Sequence, residues 1–95
     1  MPDARARASP ITPAEGRVLV LLLERRTPRA AATQLGSSLS TVRTHIKHLQ
    51  AKSDSHTIAS LVLWARDELT AGRLQTALGA DASWRGRAEQ LLTNR

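Results

Sequence analysis

From residue 13 onward, apolar residues recur at helical spacing, and the gaps between the runs carry helix-start and helix-stop residues. Thr12 precedes Pro13 and is followed three residues later by Glu15, the pattern of a capping box with proline at the first helical position. A first helix is expected over residues 13–24 or 25, with Val18, Leu19, Leu22 and Leu23 turned inward. Thr27-Pro28 repeats the start signal for a short second helix over 28–35, with Ala31, Ala32 and Leu35 inward and Gly36 placed to end it in a left-handed cap. Ser38 is positioned to cap a third helix over 39–52. Its Val42, Ile46 and Leu49 form one apolar stripe, while Arg43, Lys47 and Gln50 repeat that spacing on another face with Thr44 beside them.

After a break at Ser53-Asp54-Ser55, the residues Ile58, Leu61, Val62, Ala65 and Leu69 predict a fourth helix over 56–70, stopped at Ala71-Gly72. Residues 75–82 are rich in Gly and Ala and receive no assignment. A fifth short helix is expected over 83–93, with Trp84, Ala88, Leu91 and Leu92 as its stripe. No segment alternates as a strand does, so the expected class is all-α. Residues 1–10 hold two Pro, two Arg and no period, which reads as a flexible arm whose Arg5 and Arg7 are candidates for a minor groove or for phosphates.

The 95 residues allow one compact domain. Hydrophobic residues make up 41% and aromatics 2%, the latter being Trp64 and Trp84, so the core must be built from Leu, Val, Ile and Ala, which suit helix-on-helix packing. The absence of Cys removes disulfides, thiolate metal sites and a Cys nucleophile, and fits a cytoplasmic protein. The longest strongly apolar run, residues 18–23, is too short to span a bilayer, and the N-terminal stretch lacks the apolar core of a secretory signal. The formal net charge of +6 changes the picture most, because an excess of that size points to a polyanion and nucleic acid is the commonest one.

No residues are arranged for catalysis. Ser37, Ser38 and Ser40 have no Ser-x-x-Lys or elbow motif around them, and Gly36 stands alone rather than in a phosphate-cradling loop. His45 and His48 lie three apart on one helix, but no carboxylate or Cys stands at ligand spacing beside them, so no metal and no cofactor are expected. His48, next to Lys47, reads as a phosphate contact. Glu15, Glu24, Asp67 and Glu68 read as caps and solvated helix faces, and the chain as a binding module, not an enzyme.

The order from Thr27 to Lys52 carries the functional reading. A short helix packs through small residues, a tight turn follows, and the next helix starts on a hydroxyl cap with cations opposite its core stripe. Here the chain resembles the LuxR/GerE family of bacterial helix-turn-helix regulators. The matching residues are Ile11-Thr12-Pro13, Glu15, Val18-Leu19, Leu22, Ala32, Leu35-Gly36, Ser38, the run Thr41-Val42-Arg43-Thr44-His45-Ile46, and Lys52.

The resemblance implies a four-helix helix-turn-helix domain over residues 11–70, with 71–95 as an additional helical extension that enlarges the core or meets a partner. It implies that Arg43, Thr44 and Lys47 face base edges, Arg43 and Lys47 toward guanine O6 and N7 and Thr44 toward a thymine methyl. It also implies that Arg29, Thr41 and Lys52 hold phosphates, and that the fourth helix makes a two-fold homodimer contact through Ala59, Leu63 and Arg66, matching an inverted-repeat site. The chain departs from the family at four places. Arg25 stands where Gly is usual, Ser37 where an aliphatic residue is usual, Ser53-Asp54 where Leu-Gly is usual, and Arg17 where an acid is usual.

With no sensing domain in its 95 residues, the chain reads as a regulator of transcription binding double-stranded DNA that either stands alone or takes its switch from a regulatory protein partner. The alternatives are a sigma-factor-like promoter reader acting with RNA polymerase, and a protein-interaction module on the same fold.

Overall fold

The computed structural model describes residues 11–93, and the expected arm at 1–10 lies outside them. Among the described residues there are six helices and no strands: α1 Pro13–Leu23, α2 Pro28–Leu35, α3 Leu39–Ser53, α4 Ile58–Thr70, α5 Arg73–Leu78 and α6 Ala82–Thr93.

Each of the first four starts follows from a side chain that satisfies an orphan backbone N–H. Thr12 Oγ1 accepts from the Glu15 amide at 3.1 Å, and Glu15 Oε1 accepts from the Thr12 amide at 3.0 Å, completing the capping box. Thr27 and Ser38 cap α2 and α3 in the same way. Thr57 caps α4, so that helix begins two residues later than the sequence predicts. Ile58 thereby falls in the first turn and stays 39% exposed instead of pointing inward.

The ends are less ordinary. α1, α2 and α3 all finish with the paired hydrogen bonds of a Schellman motif. The Arg26 amide donates to the Leu21 carbonyl, that of Ser37 to Ala32 and that of Ser55 to Gln50. This motif requires one residue in the left-handed region. Gly36 fills it at φ +65°, as its sequence position predicts, but the other two are Arg25 at φ +67° and Asp54 at φ +55°. These are two of the places where the chain departs from the family it resembles. The end of α3 forms without Gly, and both turns carry strain. A residue with a Cβ costs about 1–2 kcal/mol in this conformation, less for Asp, whose short polar chain tolerates it. Arg25 is exposed, so Arg25→Gly is expected to raise stability by about 1 kcal/mol, seen as a higher urea midpoint at unchanged m-value.

α1 is the centre of the molecule. Its stripe is wider than predicted: every residue from Val18 to Leu23 is buried, with Gly16 and Glu15, because all five other helices pack around it. α2 and α3 cover one part of α1 and also pack on each other. α4 contributes Leu61, Ala65 and Leu69; Val62 is only half-buried.

The extension forms two helices instead of the single one expected. α5 brings Leu74 and Leu78 onto α1, and it does so at Gly16, where a Cβ would lie 3.1 Å from Leu78 Cδ2. α6 buries Ala88 and half-buries Trp84 and Leu91, while Leu92 is 37% exposed. The extension is therefore part of the core.

Two acids expected on solvated faces are instead tied down. The carboxylate of Glu68 holds the Arg73 guanidinium at 2.5 and 3.1 Å, across the α4–α5 junction. That of Glu24 holds Arg87 at 3.1 and 2.6 Å, joining the end of α1 to α6.

Candidate nucleic-acid interface

α3 divides cleanly by face. Val42, Ile46 and Leu49 are 0%, 6% and 0% exposed and lie against α1, α2 and α4. One helical step round, Arg43, Thr44 and Lys47 are all exposed and line one open groove of about 650 Å³. Ser40 and Gln50 complete its polar wall, and Pro28, Leu39, Ile46 and Ile58 supply its apolar floor. The structure thus brings together the three residues expected to face bases. Ser40 was legible from its place three residues before Arg43 on the same helix face. Pro28 and Ile58 were not, since they arrive from α2 and α4 through tertiary packing.

The hydroxyls on this helix are engaged. Thr44 Oγ1 donates to the Ser40 carbonyl at 3.0 Å, one turn back. Thr41 Oγ1 and Ser38 Oγ are 3.0 Å apart at the cap. Arg29 is exposed on α2, and Thr33 Oγ1 donates to its carbonyl. Thr41 and His48 are exposed as well, the imidazole side chain by 62%.

Lys52 does not share that face. Its ammonium lies 2.6 Å from Glu15 Oε1, with the two side chains only 19% and 4% exposed. It therefore fastens the last turn of α3 to the first turn of α1, where the resemblance implied a phosphate contact. His48 Nδ1 approaches the other oxygen of the same carboxylate at 3.9 Å. Burial pushes the Glu15 carboxyl up, but the Lys52 ammonium and the Thr12 hydrogen bonds outweigh it and hold the carboxyl below its ordinary value.

Charge is concentrated where the groove lies. Residues 25–53 hold six of the fourteen Lys and Arg residues and none of the eight acids, while the remaining eight cations and eight acids cancel. The whole formal charge of +6 thus belongs to the turn before α2, α2 itself and α3. Among the described residues, Arg29, Arg43 and Lys47 lie within salt-bridge distance of no carboxylate.

On α4, Ala59, Leu63 and Arg66 are all exposed along one face, Leu63 by 68%. Among the described residues, no helix is long and apolar enough to cross a membrane.

The chain matches no protein-family model, no curated protein and no solved structure.

Proposed function

We propose that the chain is a regulator of transcription that binds double-stranded DNA by laying α3 in the major groove. The carrying observation is the exposed Arg43–Thr44–Lys47 row, set opposite a fully buried stripe and within a segment that holds all of the net charge.

The physical fit is direct. A helix of fifteen residues is about 22 Å long, and the major groove, about 12 Å wide, admits one helix. The tight turn at Gly36 separates α3 from α2, so α3 projects while α2 and its exposed Arg29 flank the backbone. Arg43 and Lys47 stand one turn apart with donors that suit guanine O6 and N7. Thr44, its hydroxyl given to the helix, has its methyl for a thymine. Arg29, Thr41 and His48 then set the register on phosphates, and Lys52 acts indirectly, by holding α3 on α1. The exposed face at Ala59, Leu63 and Arg66 supports pairing of two copies on an inverted repeat.

Selection from a pool of random duplexes at fixed, stated salt tests this reading. A two-fold symmetric motif is the expected result. Recovery of no motif, with weak binding that disappears as salt rises, would mean that charge alone attracts DNA and would end the proposal.

A further inference from the structure

We infer that Arg87, on the C-terminal extension, is a positioning residue for DNA reading: it ties the last turn of α2 to the end of α1 and so sets the angle at which α3 is presented. The inference rests on the DNA-binding reading and assigns a role to α6 beyond filling the core.

Arg87 makes two sets of contacts. Its Nε and Nη2 bind the two carboxylate oxygens of Glu24 at 3.1 and 2.6 Å, a bidentate pair. Its Nη2 also donates to Gln34 Oε1 at 3.3 Å. Glu24 is the cap residue of α1, immediately before the strained Arg25 turn that leads into α2. Gln34 lies in the last turn of α2, two residues before the Gly36 turn that leads into α3. One guanidinium therefore links the chain just before α2 to the end of α2.

The guanidinium is itself held. It stacks 4.5 Å above the Trp84 ring, one turn earlier on α6. The Arg87 and Glu24 side chains are 33% and 20% exposed, so the pair is partly shielded from water and from salt.

α6 packs as a helix on α1, α4 and α5, and not on α2 or α3. α2 is only eight residues long; it buries Ala31 and Ala32 and half-buries Leu35. Small buried side chains allow close approach but offer little shape to fix a crossing angle, so a polar tie from α6 to the last turn of α2 adds a geometric constraint.

The test is a double-mutant cycle on the full chain with Arg87→Ala, Glu24→Ala and both together. It is read as the affinity ratio between the duplex that the wild type selects and a scrambled duplex. The two single variants change net charge in opposite directions, so an effect of charge on phosphates would shift their absolute affinities in opposite directions and leave the ratio unchanged. A brace makes both lose discrimination by about tenfold, with the double variant no worse than either single.

Amide exchange provides an arm that needs no DNA. Ala31 to Leu35 exchange faster in each variant, while Leu61 and Leu69 of α4 keep their protection. Unchanged α2 protection overturns the brace whatever the DNA result. Wild-type failure to select any duplex overturns the DNA-binding reading instead. Opposite shifts in absolute affinity at an unchanged ratio show that Arg87 acts through its charge alone, which also overturns the brace.

Discussion

With Arg43 and Lys47 both replaced by alanine, the protein loses its preference for the duplex that the wild type selects, while weak, salt-sensitive binding to any duplex persists. Each lost bidentate base contact costs about 1–3 kcal/mol, so the two together reduce discrimination by about 2–6 kcal/mol, roughly thirtyfold at the least. The unfolding midpoint stays unchanged, because both side chains are exposed and neither lies within salt-bridge distance of a described carboxylate. Anisotropy titrations with the selected and scrambled duplexes at several salt concentrations separate the terms. A phosphate contact, when removed, weakens both duplexes equally and flattens the salt slope; a base contact, when removed, collapses the ratio between them. A ratio that survives the double substitution would take the recognition away from α3.

Lys52→Met is expected to act on the fold. The substitution leaves the Glu15 carboxylate, 4% exposed, without its strongest partner, and uncompensated buried charges of this kind cost about 3 kcal/mol. Urea denaturation at neutral pH reads that loss directly.

The pH dependence gives a second check. The Glu15 carboxyl is held below its ordinary value of 4.5 in the folded wild type. Its contribution is therefore fully present above that value and lost as pH falls through the lower, folded one. In Lys52→Met the stabilising partner is gone and burial remains, so the variant's deficit is full at neutral pH and shrinks as the carboxyl protonates. A deficit that stays constant down to acid pH would place the cost in packing and not in the ion pair. A stable variant with weakened binding to all duplexes would restore Lys52 to a phosphate.

These three cations show how far the residue pattern reaches. Arg43, Lys47 and Lys52 are alike in composition and sit on one helix, and helical spacing correctly separates the first two from the buried stripe. Lys52 lies outside that separation. Its partner is thirty-seven residues away, at the start of α1, and only the crossing of α3 over α1 brings them together. The same holds for Glu24 and Arg87, sixty-three residues apart.

Local rules account for most of the helical framework. Three hydroxyl caps, one capping box and one glycine turn are visible as residue types at fixed offsets, and they act over three or four residues, where sequence distance and spatial distance are nearly the same. That locality is why α1 to α4 were legible to within about two residues. α5 was not, because six residues give only one apolar pair, Leu74 and Leu78, which is too little to establish a period. It forms against α1, where Gly16 leaves room.

The sequence by itself determined an all-helical class, the faces of α3, and a net positive charge that arises from residues 25–53. Only the tertiary structure decided that α1 is buried on every side, that Glu15, Glu24 and Glu68 are paired rather than solvated, and that the extension closes the core and reaches back to α2. The physical reason is range. Capping and periodicity are properties of neighbouring residues, whereas desolvation and ion pairing depend on which distant surfaces the packed helices bring into contact.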